Sequence, residues 1–590
     1  MSNQVVPVSG GTPTPINRHR DAYVLLSGGG TPLSNNYSQY LQARAIAAFF
    51  ERECPPERTW VFFGVGNRDG VAPVLADARR EIKQDGLLVE SWLPGSLPRN
   101  RPATRESFLN ALRDEILPLV RDGGTLYLFV GDHGEIAGSG DGRQSAITMW
   151  QLKPGRRRSG GWTTDDSEVL TVAELREVLA KGLGDGRVVF GMTQCHGGGF
   201  HELGVAREMI PPATWFAGAP PAWASGRTAN LTLRVAGYTA TDQASPAAGC
   251  DADPDPERWA GYERFLPEAL LGIDLMSDRP KGRPAASLAD AHEAATLVDQ
   301  TIDKPRSTSD HYLEAWARLI ETQLSKASRL TAATQTALIA FERAVDRGEV
   351  STADPSLRER QAQFERFTAR LAQEVPAAKE LLLRGTRQQL DRAIRARGQR
   401  GGSGRGTRRA SMAELRRAWT ETLRPGWKAA VLTGKVSGLT GAALAFEKQL
   451  LKLEDGGRDF LLPRGGHGDL LLNEMYWASS YAQPATMDRS KAEDVTRWGA
   501  ERRRRIVDWG KASLNPQVRE AATKIGPGAM LLDEPPQRLS EKTAAERVLF
   551  YRRVLAAWEF LVTMQAQPAL AELELLIELE RLPVRPKDGA

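Results

Sequence analysis

From Asp21 to about Met276 the chain alternates short apolar runs with amphipathic stretches. The runs are Tyr23 to Leu26, Trp60 to Phe63, Leu126 to Val130 and Val188 to Phe190, with weaker ones at Trp215 to Ala217 and Leu231 to Tyr238. Near-continuous apolar runs predict strands covered on both faces, and the stretches between them predict helices. Gln39 to Glu53 and Glu106 to Arg121 read as helices, and Thr171 with Glu174 forms a capping box that opens another before the fourth run. The expected fold is a layered α/β domain, its mainly parallel sheet flanked by helices. Ligands of such sheets bind beyond the carboxyl ends of the strands.

Residues 277–309 are polar and contain proline, which predicts a linker, and from 310 to 582 the spacing is helical throughout. Leu313, Trp316, Ile320 and Leu324 share one helical face, as do Val548, Tyr551, Leu555, Trp558 and Val562. Ser411 with Glu414 and Thr543 with Glu546 supply two further capping boxes. An all-α domain follows, interrupted at 392–411 by RAIRARGQRGGSGRGTRRAS, whose glycines and like charges predict an exposed linker. Residues 1–20 and 583–590 are expected to be flexible tails.

The 590 residues exceed what one core can organise, and 41% hydrophobic with 26% charged residues is an ordinary globular composition. Net charge is +5 from 78 basic and 73 acidic residues, so the chain as a whole does not read as a nucleic-acid binder. Three cysteines, Cys54, Cys195 and Cys250, are too few for a disulfide framework and point to a reducing compartment. With no signal-peptide core and no apolar run of about 20 residues, the expected location is cytoplasmic, away from membranes.

The chemistry concentrates in VVFGMTQCHGGGF, Val188 to Phe200. Cys195 ends an apolar run instead of lying within it, an expected exposed position that favours a nucleophile over a packing residue. Gly197 to Gly199 let the backbone adopt positive φ or let a substrate main chain approach. A thiol of ordinary pKa needs a base or a positive field to attack at neutral pH. His133, in LYLFVGDHGE, ends another apolar run and is the candidate base. If both runs end at one edge of the sheet, His133 and Cys195 face each other, and the Gly134 and Cys195 N–H groups are placed to stabilise an oxyanion. His196 and His201 beside Cys195 invite a zinc reading, but the spacing matches no closed site and no fourth ligand is nearby.

An apolar run ending in Asp132-His133-Gly134, followed by one ending in Gln194-Cys195, resembles the caspase and legumain clan of cysteine peptidases, and legumains more closely. Asn36-Tyr37, in SNNYSQYL after the first run, and GYTATDQASPAAGC, Gly237 to Cys250, are similar to further legumain stretches. The resemblance spans residues 21–276. It implies a caspase-like fold and a cysteine endopeptidase, with Cys195 as nucleophile, His133 moving the protons, Asn36 orienting His133, and no metal or organic cofactor. The chain departs from the family at the pocket. Thr193 stands where legumains have Glu, and Ser38 where they have a basic residue. Asp242, on the stretch similar to the pocket strand, is the candidate for selecting Lys or Arg.

The basic segment has three readings: a solvated run, a hold for an acidic partner or for nucleic acid by phosphate contacts, or a self-processing site at Arg392, Arg395, Arg397, Arg400, Arg405, Arg408 and Arg409. Implied partners are a protein or peptide substrate and a regulatory partner of the helical domain. The rival expectation is an inactive peptidase-like scaffold that binds peptide segments and recruits partners through its helices.

Overall fold

The computed structural model describes residues 17–30, 35–67, 74–82, 88–94, 97–131, 133–138, 144–150, 169–224, 230–249, 259–351, 354–395, 417–455, 502, 504–528 and 538–585. At its centre is a seven-stranded sheet: β1 (Ala22–Ser27), β2 (Thr59–Phe63), β3 (Asn100–Arg101), β4 (Thr125–Val130), β5 (Arg187–Met192), β6 (Val235–Thr239) and β7 (Arg306–Ser307). The spatial order is β7-β6-β5-β4-β1-β2-β3, parallel except for β7, which runs antiparallel along β6. The four secure apolar runs are all strands, and Leu231 to Tyr238 supplies β6. Trp215 to Ala217 is not a strand; Ala213–Trp215 is a short 3-10 turn and Phe216 makes an isolated bridge to Leu330.

Side chains alternate between the two faces, so each strand feeds two cores. Tyr23, Leu25, Phe63, Tyr127 and Phe129 pack against α1 (Tyr37–Glu53), α3 (Tyr262–Leu271) and α4 (Leu288–Val298). Val24, Leu26, Phe62, Leu128, Val188 and Phe190 pack against the helical run through Phe108, Leu112 and Leu117 and against α2 (Val172–Gly182). Thr171 caps α2 through the Glu174 box, as the sequence predicts.

Residues 277–309 are not a linker: α4 lies on the sheet core and β7 is a strand of the sheet. Ser307 then caps α5 (Thr308–Thr322), whose Tyr312, Trp316 and Ile320 share one core with Val205, Trp215, Leu231 and Ala236. That core continues through α6 (Ala332–Arg347), α7 (Pro355–Glu374), α8 (Glu541–Thr563) and α9 (Gln567–Glu580). The main helical layer is therefore fused to the sheet unit. Trp215 sits between Trp316 and Phe560, with ring centroids 5.6 and 5.2 Å away.

α8 is buried on most sides and begins earlier than the Thr543 box implies, because Ser540 accepts the Thr543 N–H. The Ser411 box lies outside the described residues. A separate helical cluster, built on Trp419, Trp427, Ile506, Val518 and Ile525, draws its members, among the described residues, from between 418 and 525. Residues 583–585 are not a free tail: Tyr127 donates to the Pro583 carbonyl at 2.7 Å and Arg585 pairs with Glu53 at 2.6 Å.

Candidate functional site

β4 and β5 are adjacent, and their last residues, Val130 and Met192, are register partners. His133 and Cys195 each stand three residues beyond that pair, so the two runs do end at one edge of the sheet. The Thr193 N–H donates to the Val130 carbonyl at 2.9 Å and carries the parallel course one residue past the strands. Gly134 then lies directly on Cys195. A Cβ at position 134 would fall 2.0 Å from the Cys195 carbonyl oxygen and 2.7 Å from Gln194 Cγ, so no other residue fits there without movement. The Thr148 N–H donates to the His133 carbonyl at 3.0 Å and Gly134 pairs with Ile147. Bonded and non-bonded pairs alternate in an antiparallel ladder, which turns the Gly134 N–H away from it.

Position 196 takes the left-handed turn, at φ 59°, while Gly197 to Gly199 enter a 3-10 helix, Gly197–Leu203. Close packing explains two of these glycines better than positive φ does. A Cβ on Gly198 would meet the Asp242 backbone at 2.6 Å, and one on Gly199 the Ser145 hydroxyl at 2.1 Å. The approaching main chain is the protein's own.

Contrary to expectation, Cys195 is buried, with 7% of its surface exposed. The segment after β6 covers it. The Ala247 N–H donates to Sγ at 3.2 Å, the His196 N–H donates to the Ser245 carbonyl at 3.0 Å, and the His196 ring Nδ1 meets the Gln243 carbonyl at 3.0 Å. Asp303 fixes the far end of the cover, accepting the Ala248 N–H at 2.6 Å and the Tyr262 N–H at 3.0 Å. Lys304 fixes its middle, donating to Ser245 Oγ at 2.9 Å and pairing with Asp242 and, on α8, Glu546. Arg547 of α8 donates to the carbonyls of Asp299, Thr301 and Asp303. The fused helical layer thus holds the loop that holds the cover. No protein-family model matches the chain, and no curated protein does.

The predicted pocket residues lie around this cover, each engaged with the protein itself. Asp242 faces the helical layer and is paired with Arg306 at 3.4 Å and Lys304 at 3.6 Å. Burial alone raises its affinity for a proton, but Arg306 and Lys304 outweigh that and hold the carboxyl below its ordinary range. A carboxylate neutralised by two internal cations has little charge left to select Lys or Arg. Thr193 is buried and accepts from Gln42 Nε2 at 2.8 Å, and the buried Ser38 hydroxyl donates to the Gly249 carbonyl. Asn36 caps α1 and its N–H donates to Gln39 Oε1 at 2.9 Å. Its Oδ1 is buried without a hydrogen bond, so that oxygen does not orient His133.

Gln42 Oε1 and Gln194 Oε1 are likewise buried acceptors without partners near this edge. Among the basic-segment residues, Arg392 and Arg395 belong to a helix, Arg387–Arg395, instead of an extended linker. Arg397, Arg400, Arg405, Arg408 and Arg409 lie outside the described residues, as do Asp132 and Cys250.

Sequence reasoning missed a set of buried imidazoles behind the site. His201 is fully buried, its ring nitrogens on Thr308 Oγ1 at 2.8 Å and Thr239 Oγ1 at 3.1 Å, and His311 lies 5.2 Å away between ring centroids. The spacing His196 to His201 carries no sign of a threonine pocket. Burial pushes His201 well below the usual imidazole range, His292 down to about 3 and His311 to about 4. Burial also raises the proton affinity of the Cys54 thiol, at the carboxyl end of α1. Among the described residues, no helix is long and apolar enough to cross a membrane.

Proposed function

We propose that the chain is a cysteine endopeptidase of the caspase/legumain kind, with Cys195 as nucleophile and His133 as proton carrier, in a closed form. The contact of Gly134 with the Cys195 carbonyl, at the paired ends of β4 and β5, carries this reading. It supports an imidazole and a sulfur brought to one edge from residues far apart in sequence, with an N–H directed away from the neighbouring ladder. The parallel sheet covered by helices supports the caspase-like fold.

In the proposed reaction the Cys195 thiolate attacks the peptide carbonyl carbon, and the Gly134 and Cys195 N–H groups stabilise the resulting oxyanion. Collapse breaks the C–N bond as His133 gives its proton to the leaving amine. Water then attacks the thioester while His133 takes a proton, and the thiol is released. No cofactor enters these steps. The cover must first leave Sγ, because the Ala247 main chain occupies the approach to it. Limited cleavage of a protein partner fits an enzyme closed by its own helical layer.

Burial of the thiol favours one rival: a scaffold whose cysteine only packs. A peptidyl electrophile separates the two. The proposal expects selective labelling of Cys195, lost in His133→Ala; labelling no faster than at Cys54 supports the scaffold and ends the enzymatic reading.

A further inference from the structure

The whole-chain charge conceals a division. Residues 392–528 carry 26 Lys and Arg against 14 Asp and Glu, a net of +12, and the remainder carries 52 against 59, a net of −7. Nineteen of those 26 cations are arginine, the residue whose planar fork pairs bidentately with phosphate. From 417 onward the described part of this stretch is the separate helical unit around Trp419 and Trp427, which has a core of its own. Its structural ion pair is turned inward: Arg502 and Glu447 are fully buried and bonded at 2.8 Å. Several of its described cations face outward. Lys435, Lys452, Arg504 and Lys511 are exposed, and among the described residues none of them has an acidic partner within 4.0 Å. Arg504 and Lys511, seven residues apart along the helix at 504–511, share one face.

We propose that the helices at 417–455 and 504–528, which share this core, form a docking surface for the phosphate backbone of nucleic acid. Exposed arginine and lysine without internal partners bind phosphates by releasing condensed counterions, which needs no base recognition. The composition of the preceding stretch, RGQRGGSGRGTRR, matches that of Arg/Gly segments which track a strand without reading its sequence. The net negative charge of the remainder repels a polyanion and leaves this unit as the place it settles. The surface is independent of the thiol, so it stands or falls apart from the peptidase reading.

The test uses full-length Cys195→Ala protein with fluorescent 30-nucleotide single strands and a 30-base-pair duplex, read by anisotropy from 50 to 300 mM salt. Both substrates present the same phosphates, and the arms show which form is preferred. The expected result is binding that weakens steeply with salt. In Lys435→Gln/Lys452→Gln/Arg504→Gln/Lys511→Gln the affinity should drop tenfold or more at 100 mM salt. The log–log salt slope should become shallower by about 3 for single strands, at about 0.7 per lost phosphate contact. Glutamine at four exposed cations elsewhere, Lys181, Arg279, Lys326 and Arg366, should change the affinity by less than about twofold. The proposal is overturned by no binding at 50 mM salt, by equal binding of the fourfold variant with an unchanged melting curve, or by tighter binding to phosphatidylserine vesicles or an acidic peptide.

Discussion

If the segment over Cys195 is a latch, loosening a tie outside the reacting groups should expose the thiol. Lys304 is that tie. Its ammonium donates to Ser245 Oγ at 2.9 Å and reaches Glu546 at 3.0 Å and Asp242 at 3.6 Å. A hydrogen bond to a charged group contributes roughly 1.5–3 kcal/mol when well buried. Lys304 is one-fifth exposed, so solvent screening reduces this to about 1.5 kcal/mol. Lys304→Met keeps the stem and removes the charge, and 1.5 kcal/mol corresponds to about a tenfold rise in the open population. The assay is alkylation of Cys195 by iodoacetamide, followed by peptide mass spectrometry, at concentrations where the rate tracks the opening equilibrium. Wild-type Cys195 should react much faster than Cys54, and the substitution should speed Cys195 about tenfold. An unchanged Cys195 rate contradicts the latch. Equal rates at the two cysteines would mean that only global unfolding reaches the sulfur, and would refute a local opening.

Other outcomes follow from the same contacts. Gly134→Ala drives a methyl group to 2.0 Å from the Cys195 carbonyl, an overpacking expected to cost about 1–3 kcal/mol and to abolish peptide cleavage, checked by urea denaturation and turnover. Trp215→Ala opens the core shared by sheet and helices. It should cost about 3–5 kcal/mol and lower one common transition in calorimetry, instead of splitting the halves.

Acid should destabilise the fold through the buried imidazoles, because a group with a depressed folded pKa binds fewer protons folded than unfolded. Stability present above the unfolded value of about 6.5 is therefore lost as pH falls below it. For His311, held at about 4, the loss between pH 7 and pH 5 is about 2 kcal/mol, and His311→Gln should remove that share of the pH dependence in urea titrations. Glu580, pushed up to about 7 mainly by burial, acts in the opposite direction. It gains stability as pH falls from 7 toward its unfolded value, and Glu580→Gln should make the acid loss steeper.

The strands were legible because each apolar run is a local signal: residues buried on both faces leave no polar alternation to misread. The coincidence of His133 and Cys195 at one edge was legible for a related reason, since parallel neighbours that stop in register place their next residues side by side. What failed was long-range. Asp242 looked like a free pocket acid because its cations, Lys304 and Arg306, lie more than sixty residues further on. Cys195 looked exposed because its cover arrives from Ala247, and the ties on that cover come from Asp303 and Lys304, themselves held by α8, about 300 residues beyond. Residues 277–309 looked like a linker because β7 is two residues long and α4 follows a proline-containing stretch, too little pattern to outweigh composition.

Peptide hydrolysis by the opened protein tests the central claim most directly. Lys304→Met protein, incubated with a peptide library and read by mass spectrometry, should cleave at a restricted set of bonds, and adding Cys195→Ala should end all cleavage while the circular dichroism spectrum is preserved. Cleavage that survives Cys195→Ala, or its absence from an opened protein whose Cys195 alkylates freely, would contradict the account.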